Sequence, residues 1–223
     1  SPSPTPDRPT QPFLSGHLRW VVLADIPQGP TLRALAHSLI EEAKTHFALT
    51  GSSARKLQAG GGNLLAGRAF VFSLFPFSFR ELTGSFDLNQ ALQWGSLPSI
   101  LNLPKDKDKA RYLRSYVQTY LKEEILQEQL IRNLTPFRLF LPIAAQMNSQ
   151  VINYSNIARD TGVDYKTIQN YYQILVDTYL GHFLEPYSKS IRKVQIQAPK
   201  FYFFDTGVKR SLQNLLRLPI QPS

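Results

Sequence analysis

Four side chains between positions 165 and 179, those of Lys166, Thr167, Asn170 and Gln173, are of types that donate to phosphate oxygens and read base edges. On a helix they share one side, opposite an apolar side made of Ile168, Tyr171 or Tyr172, Leu175 and Tyr179. A short way downstream, Lys189, Arg192 and Lys193 cluster in a connection that can lie along a phosphate backbone. A second candidate is the stretch FALTGSSARKLQAGGGNLLAGRAF, residues 47 to 70, in which a Thr/Ser/Gly loop, two cations and three glycines stand between apolar runs. Phosphate cradling of the G-x-x-x-x-G-K-[ST] kind is excluded there, because no glycine in the chain is followed by lysine. G-x-G-x-x-G fails in spacing and no helix starts on it, so Gly60 to Gly62 reads as a mobile surface loop.

Other catalytic constellations are weak. His17, His37, His46 and His182 do not fall at metal-ligand spacing, and neither a catalytic nor a metal site is assigned. Glu41 with Glu42, and Glu123 with Glu124, are adjacent on helices and so point apart, as solvated faces do. The absence of cysteine removes thiol chemistry, disulfides and zinc ribbons, and fits a reducing compartment, for which cytoplasm is the default. A net charge of +9 and a pI near 9.8 favour a polyanionic partner, with solubility alone as the bland reading. No apolar run approaches the ~20 residues of a membrane span, and SPSPTPDRPTQP lacks the character of an export signal. No membrane partner is expected.

The elements that must position these residues follow from pattern. Residues 1–15 are proline-rich and read as a disordered arm. Trp20 to Leu23 suits a strand buried on both faces, and Leu32, Leu35, Ala36, Leu39, Ile40 and Ala43 recur at helical spacing. HFALT predicts a second strand and AFVFSLFPFS a third that ends at Pro76. Beyond Glu81 the chain turns helical: Leu113, Tyr116, Val117, Tyr120, Leu121 and Ile125 form one stripe. The aromatic residues of 112–140 read as helix-packing core rather than a base-stacking platform. Thr135 followed by Pro136 predicts an N-cap for a helix running to about Met147, bent if Pro142 lies inside it.

In QVINYSNIARDTGVDYKTIQNYYQILVDTYL, Ser155 is the expected cap of a short helix, Gly162 the turn, and Asp164 the cap of the helix carrying Lys166. HFLEPY and KFYFFD read as two strands flanking the basic connection, which completes the layout of a winged helix over 149–213. Winged helices contact DNA through the second helix and the wing, but they also serve as protein docking modules. A Tyr-rich helix can equally be buried against a neighbouring domain.

WVVLADIPQGP, LRALAHSLIEEAKTHFALTGSSARKL and NLLAGRAFVFSLFPFSFREL resemble the central and later strands of prokaryotic AAA-type P-loop ATPases. The helical section, NYSNIARDTGVDYKTIQNYYQIL, and YLGHFLEPYSKSIRKVQIQAPKFYFFDTGV resemble the domain of unknown function that follows that core, so the resemblance covers roughly Leu18 to Gln213. It implies that Thr50, Ser52 and Ser53 stand where the family places a polar sensor of the γ-phosphate, and that Arg68 can pair with phosphate charge. ATP and magnesium are the cofactors it implies. The departures imply loss of hydrolysis. The family's phosphate loop precedes the acidic strand, where this chain has its proline-rich arm. The Asp-Glu pair that should end that strand, serving the magnesium water and the attacking water, aligns with Ala24 and Asp25; in a shifted register Asp25 is the magnesium acid with no Glu after it. Family members also continue into a nuclease-like tail that this chain, stopping at Ser223, does not include.

The expectation is therefore a truncated or degenerate AAA-type protein of α/β plus mostly α class. A partial P-loop-type parallel sheet occupies 16–82, a helical bridge 83–148, a winged helix 149–213 and a tail 214–223. Double-stranded DNA is the expected partner. The alternatives are a residual ATP-binding protein, an interaction module that completes a site with an intact paralogue or by self-association, and a truncated product without independent function.

Overall fold

The computed structural model describes residues 20–23, 46–49, 72–120, 131, 133–187 and 198–220. The chain divides into two compact units, 1–70 and 71–223. In the first, β1 (Trp20–Leu23) and β2 (His46–Leu49) pair in parallel, with Trp20 opposite His46 and Leu23 opposite Leu49. The proline-rich arm, the helix expected between Leu32 and Ala43, and the Gly60 to Gly62 loop lie outside the described residues.

The described part of the expected third strand differs from its reading. Residues 72–75 form no strand, and Phe72, Leu74 and Phe75 are exposed. Apolar residues specify a strand only where a neighbouring strand takes up their backbone groups; among the described residues, the first backbone bond of this stretch runs from the amide of Phe77 to the Ser96 carbonyl at 3.0 Å.

The second unit is mostly helical. α1 (Leu88–Trp94) is capped by Asp87, whose carboxylate accepts from the amides of Asn89 and Gln90, and it stops at Gly95 with φ +79°. α2 (Pro98–Leu101) starts on proline. α3 (Asp106–Tyr120) buries Leu113 completely and Tyr116 and Val117 in part, as the stripe predicts, while Leu121 and Ile125 fall outside the described residues. α4 (Leu134–Gln146) is capped by Asn133, not Thr135: the Asn133 side chain accepts from the Thr135 amide at 3.1 Å. Pro136 then occupies the third helical position, where a missing N–H costs nothing because the first four amides have no intrahelical acceptor. Pro142 is inside the helix, where it cannot donate to the carbonyl of Arg138.

α5 (Tyr154–Thr161), α6 (Tyr165–Asp177), β3 (Gly181–Leu184) and β4 (Lys200–Phe203) follow, and α7 (Thr206–Leu212) closes the unit. β3 and β4 are antiparallel, Gly181 opposite Phe203 and Leu184 opposite Lys200. The far edge of β4 is taken by the segment between α4 and α5. Val151 bridges Lys200, and the amides of Ser149 and Ile152 donate to the carbonyls of Phe201 and Pro199 at 2.8 and 3.0 Å. The Phe203 amide donates to the Asn148 side chain at 2.8 Å. β4 is thereby flanked on both sides.

An aromatic cluster joins this small sheet to the helices. Tyr172 stands edge-on to Phe140 (4.9 Å between ring centres) and to Phe201 (5.0 Å), and Phe137 edge-on to Tyr171 (5.0 Å). Each such ring contributes about 1.5–3 kcal/mol through burial, with edge-to-face pairs adding about 0.5–1.5 kcal/mol.

Candidate nucleic-acid interface

α5 and α6 are positioned by side chains that close their open N-termini. Asn153, rather than Ser155, caps α5: its side-chain Oδ1 accepts from the Asn156 amide at 3.0 Å, which leaves Ser155 in the first turn. Gly162 takes the left-handed conformation (φ +71°) that ends α5 and donates to the Ala158 carbonyl. Asp164 then caps α6, accepting from the Thr167 amide at 2.9 Å and the Thr167 hydroxyl at 2.6 Å. The Thr167 hydroxyl, amide and neighbouring backbone bonds hold the Asp164 carboxyl below its ordinary range.

The body of α6 divides as its sequence suggests. Ile168, Tyr171, Tyr172, Ile174 and Leu175 are buried, whereas Lys166, Asn170 and Gln173 are exposed. Their i, i+4, i+7 spacing makes one continuous polar stripe. Tyr179, read as part of the apolar side, is not in the helix. α6 ends at Asp177, Thr178 caps it, and Tyr179 turns out at φ +58° with 39% of its surface exposed.

Within the stripe the donors are not equally free. The side chains of Lys166 and Asn170 engage no partner among the described residues, while Gln173 Nε2 donates to Asp177 Oδ1 at 2.8 Å and the Thr167 hydroxyl is spent on Asp164. Gln169, not singled out by sequence, is also exposed and lies one turn from Lys166; its Nε2 is 3.4 Å from Tyr165 Oη. The i+3 step from Lys166 was the signal for it. Beside the N-terminal end of α6, Tyr154 packs edge-on to Tyr165 at 5.3 Å. Burial, with Tyr165 and Glu185 adding to it, pushes the Tyr154 phenol up to about 12, so it adds no charge to this surface near neutrality. Lys189, Arg192 and Lys193 lie outside the described residues, as do Asp25, Thr50, Ser52, Ser53 and Arg68.

No group of His, Cys, Asp or Glu among the described residues could hold a metal ion. No described helix is long and apolar enough to cross a membrane.

Residues 85–218 match the family described as a domain of unknown function (DUF8612). The chain belongs to that family. Ahead of it, residues 10–83 match the family described as an AAA domain, so an N-terminal AAA domain and a C-terminal DUF8612 domain are both present, in the order the resemblance implied. Among curated proteins, the chain is similar to the uncharacterized proteins Mb2031c of Mycobacterium bovis and Rv2008c of Mycobacterium tuberculosis, 26% identical to each over 183 residues. The matched region is 82% of this chain but 41% of each relative, so the chain spans well under half their length.

Proposed function

We propose that the DUF8612 portion of this AAA-family chain is a DNA-contacting winged helix, with α6 as the groove helix and residues 188–197 as the wing. The observation that carries the reading is the polar stripe of Lys166, Asn170 and Gln173 on a helix whose other face is fully committed to the core. Further support comes from the order of the elements: α4, an edge segment pairing with β4, α5, α6, then β3 and β4 around a basic connection. A helix held this rigidly can present Lys166 to phosphates and the amides of Asn170 and Gln173 to base edges, while Lys189, Arg192 and Lys193 neutralise the backbone alongside. The same reading extends to the AAA portion. These 223 residues contain no Gly-Lys pair and carry Ala24 and Asp25 where an acidic pair is needed, so this polypeptide does not turn over ATP on its own.

Fluorescence anisotropy with a 20-base-pair duplex, titrated at several salt concentrations, tests the reading. The parent chain is expected to bind with a steep salt dependence. The pair Arg192→Glu with Lys193→Glu is expected to weaken binding about tenfold or more and to flatten the salt slope by roughly one per lost phosphate contact. Asn170→Ala is expected to weaken binding while leaving the slope in place. Affinity unchanged by the charge reversals overturns the DNA reading, and steady phosphate release from ATP by the pure chain overturns its second half.

A further inference from the structure

The C-terminal segment of the DUF8612 domain forms one wall of a cleft remote in sequence from α6. Gln93 on α1 donates from Nε2 to the carbonyls of Leu216 and Leu218 at 3.3 and 3.2 Å, and Arg210 on α7 donates from Nη2 to those of Leu215 (2.7 Å) and Leu218. These bonds pin the segment through the carbonyl oxygens of Leu215, Leu216 and Leu218. Between this wall, α1 and α3 lies an open cleft of about 920 Å³, within the ~300–1,000 Å³ range of small-molecule sites.

Its charge is one-sided. Lys107 and Arg114 of α3 and Arg217 of the wall line it, all three are exposed, and none has an ion-pair or hydrogen-bond partner among the described residues. The carboxylate that also lines it, Asp106, already faces Lys109 at 3.9 Å. Lys109 in turn donates to Gln90 Oε1 at 2.8 Å and sits over the Trp94 ring. Asn89, Gln90 and Gln93 add amide groups to the lining, and its accessible apolar wall is made by Pro219 and Ile220, because Trp94, Ala110 and Leu216 are buried beneath it. Guanidinium forks match the oxygens of phosphate, and an apolar wall beside them rewards a ligand that carries more than the anion.

We infer that this cleft binds a phosphate-bearing small molecule, its phosphate held by Arg114, Arg217 and Lys107 and its apolar body laid against Pro219 and Ile220. The site stands on other elements than the DNA surface proposed above and does not rest on that reading.

Isothermal titration of the whole chain with AMP, adenosine and pyrophosphate in parallel tests the assignment. AMP is expected to bind more tightly than either fragment, and Arg114→Glu and Arg217→Glu are each expected to weaken it by about tenfold. Arg159→Glu, a charge-matched change on α5, is expected to leave it unaltered. The two arginines stand on different elements and both are exposed, so a folding defect in one variant leaves the other to decide. AMP binding that is absent, no better than that of pyrophosphate or adenosine, or indifferent to both substitutions overturns the assignment.

Discussion

Two regions of the DUF8612 domain are equally buried and held in opposite ways. Around Tyr172 the core is a set of aromatic rings from α4, α6 and β4 that meet edge to face, and almost nothing in it is directional. Where α7 meets the end of α1, the contact is polar and close. Asp205 is 4% exposed, caps α7 by accepting from Val208 N at 2.9 Å, and accepts from Ser96 N at 2.8 Å with its other oxygen. Gly207 brings the first turn of α7 against the backbone of Trp94. An aromatic core is specified by volume and tolerates small polar errors; a joint built on backbone approach and a buried carboxylate tolerates neither bulk nor loss of an acceptor.

Gly207→Ala sharpens that difference most. A methyl group there would sit 2.0 Å from the Trp94 carbonyl oxygen and 2.4 Å from its carbon. These are backbone atoms that cannot rotate away, so α7 must move as a unit. The expected loss is about 3 kcal/mol, the upper end for overpacking, even though alanine is the better helix former. Urea denaturation measures it, and a loss under about 1 kcal/mol would mean that the joint is as pliant as the aromatic core.

Asp205→Asn is next. An amide offers one oxygen where the N–H groups of Ser96 and Val208 each bond a different carboxylate oxygen, and an unsatisfied buried donor costs about 1–3 kcal/mol. The effect carries a pH signature. Burial pushes the Asp205 carboxyl above its ordinary value of 3.8, against the N–H groups of Ser96, Val208 and Gly207, which pull it down. The folded chain then holds this proton more tightly than the unfolded chain, so the parent loses stability as pH rises from 3.8 through the folded value. Asparagine has nothing to titrate. The gap between parent and variant is expected to narrow across that window in denaturation series from pH 4 to pH 7, and a widening gap would show that the three donors outweigh burial.

The contrast also separates what was legible in the sequence. Gly162 and Asp164 act on residues a turn away, so their roles in the turn and the cap could be read from adjacent letters, as could the polar stripe of α6. The caps of α4 and α5 were assigned two residues late because Thr135 and Ser155 compete with Asn133 and Asn153, and local sequence gives no measure of which oxygen reaches the amide. Tyr179 kept the apolar period after the helix had stopped at Asp177. Asp205 ahead of Thr206 and Gly207 could be read as a cap, but nothing nearby announces that its second oxygen serves Ser96. Arg114 and Arg217 come to one cleft only through the packing of α1, α3 and the C-terminal segment. Residues 72–75, the described part of the expected third strand, form none for a related reason, since an apolar pattern does not contain its own partner.

Tyr172→Phe probes the other side of the comparison, with the smallest effect and the opposite sign. The Tyr172 ring is completely buried and its hydroxyl has no hydrogen-bond partner among the described residues. Removing that oxygen keeps the edge contacts with Phe140 and Phe201 and abolishes an unmet polar group, so a gain of about 1 kcal/mol is expected. Burial, with Tyr154 adding to it, raises the phenol above its ordinary value of 10.0. The folded parent therefore keeps the proton that the unfolded chain releases, and the parent loses stability as pH climbs past 10.0. The advantage of phenylalanine should accordingly be constant through neutrality and grow in alkali. Urea midpoints at pH 7 and pH 10.5 measure both parts, and a loss of stability at pH 7 would show that the hydroxyl is bonded and that the aromatic core, too, is held by direction as well as volume.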